Sequence, residues 1–496
     1  MSRPQIAAAP VGSRNLSSED KAIQVAEVVH HKGQLAIPEG MSVHQAIELL
    51  ERRASYLEEE VQVSRTFNVF PWDGANALNI ALKDKFGWAA AEATPGFFGK
   101  TPPKMITIEV GPGLTRTIPW GRFSLPGITG FLQTGADRKD GRVVFVCHAV
   151  VKRQDERTIE DLYDQIGAYL NENSIYAGKA IKIRFRDDDG DLLDMPEPKF
   201  LETDYISRDM LVYSKEVQDA IETNLFAPIE RIKDCVANGI PVKRGVLLGG
   251  PYGTGKTMAA TVASKLAVDN GVTYLYVPHC DELSDAIEFA KQYERNACVI
   301  FCEDIDRAIN GERSVAMDDI LNILDGIDTK NSQIITVLTT NHLENINPAM
   351  LRPGRLDAII NVEAPDAEAV QRLIRLYGKG TIAESTDLSA AGTLLAGAIP
   401  AVIAEVVKRA KLAQLRLQAP GTMVENISAE AVVDAAQSMQ AQIDLLNEQS
   451  KKKHVEPTFQ GVMGGVLLQA LGGQEFLENF DRMAKESKEM YDAVVG

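Results

Sequence analysis

The strongest fold signal in the chain is the run at residues 250–257, GPYGTGKT. It fits the pattern GxxxxGK[ST], follows the apolar run Val246-Leu247-Leu248 and precedes a stretch with helical periodicity. In that context glycines let backbone N–H groups surround phosphates, Lys256 reaches the β- and γ-phosphates, and Thr257 ligates Mg²⁺. The run therefore predicts a nucleotide-binding loop between a strand and a helix.

Strand-like and helical runs alternate on both sides of this loop. Apolar, β-rich runs separated by helices are typical of a parallel sheet that is covered on both faces. The pattern becomes purely helical after Pro365. We therefore expect an α/β fold: a P-loop parallel-sheet domain followed by a helical region. The apolar runs lie at residues 245–249, 273–277, 298–302 and 334–339.

One of these runs ends in two adjacent carboxylates, at residues 299–306, VIFCEDID. Many ATPases hold magnesium and activate water with such a pair, usually in the order Asp then Glu. Here the run ends at Cys302, so Glu303 is placed on the magnesium side and Asp304 on the water side. Asp is shorter than Glu by one methylene, about 1.3 to 1.5 Å of reach, and small misplacements lower rates. Hydrolysis is the expectation, and an inactive site is the alternative.

Residues from about 239 to 357 resemble the AAA family of ATPases. The resemblance is carried by "GIPVKRGVLLGGPYGTGKT", by "VIFCEDID" at the Walker B position, by "ILNILDGID" and by "ITVLTTNHLENINPAMLRPGRLD". The Glu-Asp order, "ILNILDGI" and "TTNH" are similar to the branch of the family that includes the mitochondrial Rieske-protein translocase. The resemblance implies an ATPase that uses ATP and Mg²⁺.

The resemblance also implies roles for individual residues. Asn341 would position the attacking water, and Arg352 and Arg355 would be arginine fingers that reach a neighbour's nucleotide. The Gly397-Ala398 pair resembles the adenine-flanking segment of the lid. The implied catalytic residues are Glu303, Asp304, Asn341, Arg352 and Arg355, and the implied metal ligands are Thr257 and Glu303. The implied nucleotide-binding residues are Gly250, Pro251, Tyr252, Gly253, Thr254, Gly255, Lys256, Thr257, Met258, Gly397 and Ala398.

Arginine fingers act between subunits, so the resemblance implies a homo-oligomeric ring, and a hexamer is the expected ring size. The alternative is that both arginines only cap and pair locally. Threading members of the family carry an aromatic-hydrophobic-glycine pore loop before Walker B. Between Val277 and Val299 this chain has only "PHCDELSDAIEFAKQYERNAC", without that triplet. We therefore expect a protein substrate to bind the N-terminal domain.

The pattern of strand-like, helical and irregular stretches along the sequence predicts five regions. Residues 1–65 are a flexible tail and a helix opened by the capping box Ser42-Val43-His44-Gln45. Residues 66–200 are a separate N-terminal α/β or α+β domain, in which Trp72, Trp88 and Trp120 are expected to pack in the core, with a recognition surface as the alternative. The remaining regions are the P-loop domain at 201–365, the lid at 366–447 and a C-terminal helical extension at 448–496.

Composition restricts the function further. The chain of 496 residues has 45% hydrophobic and 24% charged residues and a net charge of −17. Nucleic-acid backbones are bound mainly by clustered Lys and Arg. Because this chain is acidic, a nucleic-acid partner is not expected. No signal-peptide pattern opens the chain and no apolar run reaches the roughly 18 to 20 residues of a membrane helix. The five cysteines form no CxxC pair, so we expect a cytoplasmic protein that needs no membrane.

These expectations leave three functions. The first is a ring-forming ATPase that couples hydrolysis to remodelling, translocation or disassembly of a protein partner. The second is an ATP-gated assembly scaffold with slow or no hydrolysis, which the swapped carboxylates would favour. The third is a nucleic-acid motor or loader, which requires a basic loop that residues 278–298 do not offer.

Overall fold

The structure is a computed structural model that describes residues 29–31, 34–37, 40–96, 99–187, 189–305, 333–343 and 356–452. The chain divides into two units between Glu363 and Ala364. Arg352, Arg355 and most of the predicted C-terminal extension lie outside the described residues.

The first unit begins with a short hairpin and a helix. Strand β1 (Val29–His31) pairs with β2 (Gln34–Ala36), and helix α1 (Val43–Glu58) follows. The Ser42 hydroxyl accepts from the N–H of Gln45, and the Gln45 side chain accepts from the N–H of Ser42. The predicted capping box is therefore confirmed.

An antiparallel sheet of five strands comes next. Its strands are β3 (Glu60–Phe67), β4 (Ala90–Glu92), β9 (Arg122–Ser124), β10 (Gly130–Lys139) and β11 (Arg142–Lys152). They lie in the order β3-β11-β10-β9-β4. Two hairpins interrupt the chain between β4 and β9, namely β5 (Thr94–Gly96) with β6 (Gly99–Thr101) and β7 (Lys104–Gly111) with β8 (Leu114–Trp120).

Two helices cover this sheet, α2 (Pro71–Phe86) and α3 (Glu156–Asn173). Helix α3 buries Ile159, Leu162 and Ile166 completely. Their spacing of three and four residues places them on one face of the helix, so burial of that apolar face stabilises the layer.

The second sheet of the first unit has seven strands. They are β12 (Ala180–Lys182), β13 (Lys199–Phe200), β14 (Arg244–Gly249), β15 (Thr273–Val277), β16 (Cys298–Cys302), β17 (Ile334–Thr340) and β18 (Ala358–Asn361). Their order is β13-β12-β15-β16-β17-β14-β18, and every pair is parallel except β12 with β13. The predicted parallel sheet is confirmed. All residues of β16 and β17 are buried, as expected for strands covered on both faces.

The helices of this layer follow the strands along the chain. They are α4 (Lys215–Ile221), α5 (Ala227–Glu230), α6 (Ile232–Ala237), α7 (Lys256–Asp269) and α8 (Leu283–Ala290). Because β14, β16 and β17 are parallel, the residues that follow their carboxyl ends meet at one edge of the sheet.

The chain shows no break at residue 200, where the sequence places a domain boundary. Strand β12, from the stretch assigned to the N-terminal domain, pairs in parallel with β15 of the P-loop sheet. The two sheets also share one core: the rings of Phe70 and Phe289 lie 5.5 Å apart, and the N–H of Phe70 donates to the Tyr293 hydroxyl at 3.0 Å. Residues 66–200 therefore contribute both a sheet of their own and the edge of the next one.

The three tryptophans do not share one environment. Trp72 and Trp120 are partly buried against the core and pack edge to face, with ring centroids 5.3 Å apart, so the expected packing is confirmed for these two. The expectation is wrong for Trp88, which is 62% exposed just after the end of α2. Gly87 ends α2 with φ +76°, so Trp88 lies in the connection to the edge strand β4 and not on the buried face of the helix.

The second unit is helical, as predicted for the lid. Its described helices are α9 (Ala367–Gly378), α10 (Ser389–Leu395), α11 (Pro400–Leu417) and α12 (Ala429–Lys452). The Asp366 carboxylate caps α9 by accepting from the N–H of Ala369 at 2.7 Å. Gly397 and Ala398 lie in the turn between α10 and α11, where Gly397 has φ +82° and donates its N–H to Pro365 O at 3.0 Å.

Candidate nucleotide and magnesium site

The glycine-rich loop connects the end of β14 to the start of α7. Gly250, Gly253 and Gly255 have φ of +139°, +77° and +101°, which L side chains rarely adopt. A Cβ on Gly250 would also lie 2.2 Å from the carbonyl oxygen of Val362. The loop conformation therefore requires glycine at these positions.

Two further residues hold the loop. Lys256 is only 6% exposed, and its ammonium donates to the carbonyl oxygens of Gly250 at 2.7 Å and Pro251 at 2.8 Å. The Tyr213 hydroxyl donates to Gly255 O at 2.7 Å. Sequence reasoning missed Tyr213, which lies 42 residues earlier in the chain and belongs to no motif.

Glu303 lies beside the first residues of α7. Its Oε1 accepts from the Thr257 hydroxyl at 2.8 Å, and its Oε2 accepts from the Tyr276 hydroxyl at 2.7 Å. Burial, and after it the hydrogen bond with Glu303, raises the pKa of Tyr276 well above its usual value. Tyr276 therefore stays protonated and acts as the donor. The structure brings the two sequence-predicted metal ligands into contact, together with a tyrosine that sequence reasoning missed.

Asp304 has a different set of partners. Its Oδ1 accepts from the side-chain amide of Asn341 at 2.9 Å, and its N–H donates to the Thr339 hydroxyl at 3.0 Å. The backbone of Asp304 is left-handed, with φ +48°. Asp tolerates this conformation better than most residues, because its short polar side chain bonds locally. The two carboxylates of the swapped pair are thus held apart by separate contacts.

The other residues that the sequence assigns to nucleotide binding differ in their exposure to solvent. Tyr252 is 62% exposed and its ring lies 6.4 Å from that of His342, and Met258 is 41% exposed. Thr254 is buried and donates its hydroxyl to Pro251 O. Gly397 and Ala398 belong to the second unit.

The residues at this edge fit a magnesium-bound nucleotide. Mg²⁺ takes oxygen ligands and is usually held by one or two carboxylates together with substrate phosphates. The Thr257 hydroxyl and the Glu303 carboxylate supply such oxygens, 2.8 Å apart. The backbone N–H groups of a glycine-rich loop at the start of a helix are suited to bind phosphates.

The comparison with known families agrees with this geometry. Residues 246–364 match the family described as "ATPase family associated with various cellular activities (AAA)". The matched segment runs from β14 through the carboxylate pair to Asn341 and β18.

Curated relatives resemble part of the chain. An ATP-dependent zinc metalloprotease FtsH of Rhodococcus erythropolis is 32% identical over 232 residues, 41% of this chain and 26% of that protein. Another, of Caldicellulosiruptor bescii, is 30% identical over 234 residues, 43% of this chain and 37% of that protein. A third, of Mycobacterium tuberculosis strain H37Rv, is 30% identical over 247 residues, 44% of this chain and 31% of that protein. The chain thus spans well under half the length of these relatives.

The relatives are named zinc metalloproteases. The sequence contains no HExxH zinc-protease motif. Within the described ranges, no group of three or more His, Cys, Asp and Glu side chains is arranged to hold a metal ion. In the same part of the chain, no helix combines the length and the apolar character needed to cross a membrane.

The loop geometry, the paired carboxylates and the family match all concern the same segment. Residues 246–364 are an ATPase domain of the AAA family, whose site takes ATP with Mg²⁺.

Proposed function

We propose that this chain is a ring-forming AAA ATPase that couples ATP hydrolysis to the remodelling, translocation or disassembly of a protein partner. The observation that carries the proposal is the separation of the swapped carboxylates: Glu303 contacts Thr257, and Asp304 contacts Asn341. A site built only to bind nucleotide needs no second carboxylate oriented by an amide.

The proposed roles follow from these contacts. Bound magnesium would neutralise charge on the phosphates. Thr257 and Glu303 would hold the magnesium ion. The Lys256 ammonium, which lies 2.7 Å from Gly250 O, belongs to the loop that would surround the phosphates. Asp304 would accept a proton from the attacking water, and the Asn341 amide would orient Asp304 and the water.

The backbone conformation of Asp304 affects how far its short side chain reaches into the site. A residue in the left-handed conformation directs its side chain differently from one that continues the strand. Asp304, the residue after Glu303, has this conformation, with φ +48°. This change of direction is the kind of backbone shift that compensates for a side chain one methylene shorter. We infer that hydrolysis is retained.

The ring is proposed on the resemblance of Arg352 and Arg355 to arginine fingers, which supply charge to a neighbour's nucleotide. Both residues lie outside the described part of the chain. A hexamer, like the assignment to the Rieske-translocase branch, therefore remains a prediction that rests on the sequence alone.

A protein partner is proposed to bind the N-terminal region rather than a threading loop. The segment between β15 and β16 forms α8, and its Phe289 is buried among the rings of Phe70, Tyr176 and Tyr293. Gln292, just after α8, donates to Val143 O of β11 at 2.9 Å. A segment fixed to the N-terminal sheet in this way is suited to transmit changes at Walker B, not to grip a peptide.

The order of the two carboxylates in the sequence favours a second candidate, an ATP-gated scaffold. Asp304 is the shorter carboxylate at the catalytic position, and a small displacement there is enough to slow hydrolysis strongly. In that case ATP would assemble the oligomer without turnover. A reducing compartment, the cytoplasm, is proposed on the five unpaired cysteines.

The test is to follow assembly and turnover on the same samples. Oligomer mass is measured by light scattering with ADP, with ATP and with a non-hydrolysable ATP analogue, and phosphate release is measured in Mg²⁺ and in EDTA. The proposal expects ATP-dependent rings and Mg²⁺-dependent phosphate release. Rings that form with ATP and release no phosphate indicate the scaffold, and a monomer under all conditions contradicts both candidates.

A further inference from the structure

The Tyr276 hydroxyl contacts the metal-side carboxylate at the oxygen that faces away from Thr257. Tyr276 donates to Oε2 of Glu303 at 2.7 Å, while Thr257 donates to Oε1 at 2.8 Å. One carboxylate is therefore held from two sides, and its plane is fixed.

The Tyr276 ring is itself fixed. It stacks on Phe301 with centroids 5.6 Å apart and an interplanar angle of 22°, and the Lys182 ammonium lies 5.4 Å from its centroid. Tyr276 and Phe301 are partners in the register of β15 with β16, and Glu303 follows Phe301 by two residues. Residues two apart on an extended chain point to the same face, which explains why Tyr276 reaches Glu303.

The Glu-Asp order of the carboxylates explains why a second hydrogen bond to Glu303 is useful. Glu has one more rotatable bond than Asp, so a Glu at the metal side loses more side-chain freedom when it is held in one orientation. A second hydrogen bond restricts that freedom before the metal binds, and preorganised ligands bind metal more tightly.

We propose that Tyr276 is a positioning residue for magnesium: its hydroxyl holds Glu303 with Oε1 directed at Thr257, and so compensates for the longer side chain at this position. The proposal rests on the proposed ATP–magnesium site and adds a residue to it. Tyr276 touches Glu303 and no residue of the glycine-rich loop among its described contacts.

The test measures nucleotide binding, which does not depend on turnover. Binding of a fluorescent ATP analogue is titrated with Mg²⁺, and again in EDTA, for the wild type and Tyr276→Phe. We expect Tyr276→Phe to raise the half-saturating Mg²⁺ concentration about tenfold, the effect of losing one hydrogen bond to a charged group. Affinity in EDTA should change less than about twofold, because the loop contacts remain. Phe keeps the stacking on Phe301.

Two further variants separate positioning from general damage. Tyr163→Phe removes another buried hydroxyl, which donates to Val63 O at 3.1 Å in the N-terminal region, and should leave the Mg²⁺ titration unchanged. Glu303→Asp shortens the carboxylate away from Tyr276, so adding Tyr276→Phe to it should have less than about a twofold effect.

The outcomes are distinct. An unchanged Mg²⁺ titration for Tyr276→Phe, or an equal loss with and without Glu303→Asp, overturns the positioning role. A wild type whose nucleotide binding does not respond to Mg²⁺ at all overturns the proposed site itself.

Discussion

Asp73 is a buried carboxylate whose ionisation changes the free energy of unfolding of the protein. It is 0% exposed on α2, where Ile175 N–H donates to it at 3.0 Å and the Ser174 hydroxyl at 2.5 Å. Burial raises its pKa from 3.8 to about 6, against smaller lowering effects of its hydrogen bonds to Ser174, Ile175 and Tyr293. Tyr293 belongs to the P-loop layer, so Asp73 lies at the join of the two sheets.

The sign of the effect follows from the direction of the shift. The folded pKa lies above the unfolded one, so the folded state binds the proton more tightly, and this stabilisation is present at low pH and lost as pH rises through about 6. Between pH 7.5 and pH 5.0 the linkage amounts to about 1.4 kcal/mol in favour of the folded state at pH 5.0.

The assay is urea unfolding of the wild type and of Asp73→Asn at pH 7.5, 6.5, 5.5 and 5.0. The variant cannot ionise, so the difference in unfolding free energy isolates Asp73 from every other titrating group. We expect the wild type to gain about 1.4 kcal/mol relative to the variant across this range. A difference that stays constant with pH, or that moves the other way, refutes the reasoning.

Two other substitutions test the loop. Gly250→Ala should abolish ATP binding, because its Cβ would meet Val362 O at 2.2 Å and its φ is +139°; equilibrium binding of labelled ATP measures this, and binding at wild-type affinity would contradict it. Tyr213→Phe should weaken ATP binding about fivefold, the value of one hydrogen bond, because Gly255 O loses its donor. The same titration measures the second effect, and Tyr163→Phe is its control because the hydroxyl that it removes donates to Val63 O of the N-terminal sheet and not to the loop.

Local patterns made much of the site predictable. The glycine-rich run, the apolar strands and the carboxylate pair each occupy a few consecutive residues, and hydropathy shows where strands end. Because ends of parallel strands share an edge, the approach of Glu303 to Thr257 and of Asp304 to Asn341 also follows from the pattern.

Other features depend on contacts between distant residues. Tyr276 belongs to a strand whose sequence looks like any buried strand, and only the register with β16 brings it to Glu303. Tyr213 lies outside any strand, and only the folded chain brings it to Gly255, 42 residues later. The addition of β12 to the P-loop sheet was also not predictable, since hydropathy identifies a strand but not its neighbour.

The central claim is that the swapped pair is catalytic, and Asp304→Asn tests it most directly. Asn tolerates the left-handed backbone of Asp304, so the fold and the loop are kept while the base is removed. Phosphate release is compared between the wild type and Asp304→Asn at saturating ATP and Mg²⁺, with ATP binding measured on the same samples. The account predicts that turnover falls at least about a hundredfold while binding persists. Turnover at the wild-type rate in Asp304→Asn would contradict it.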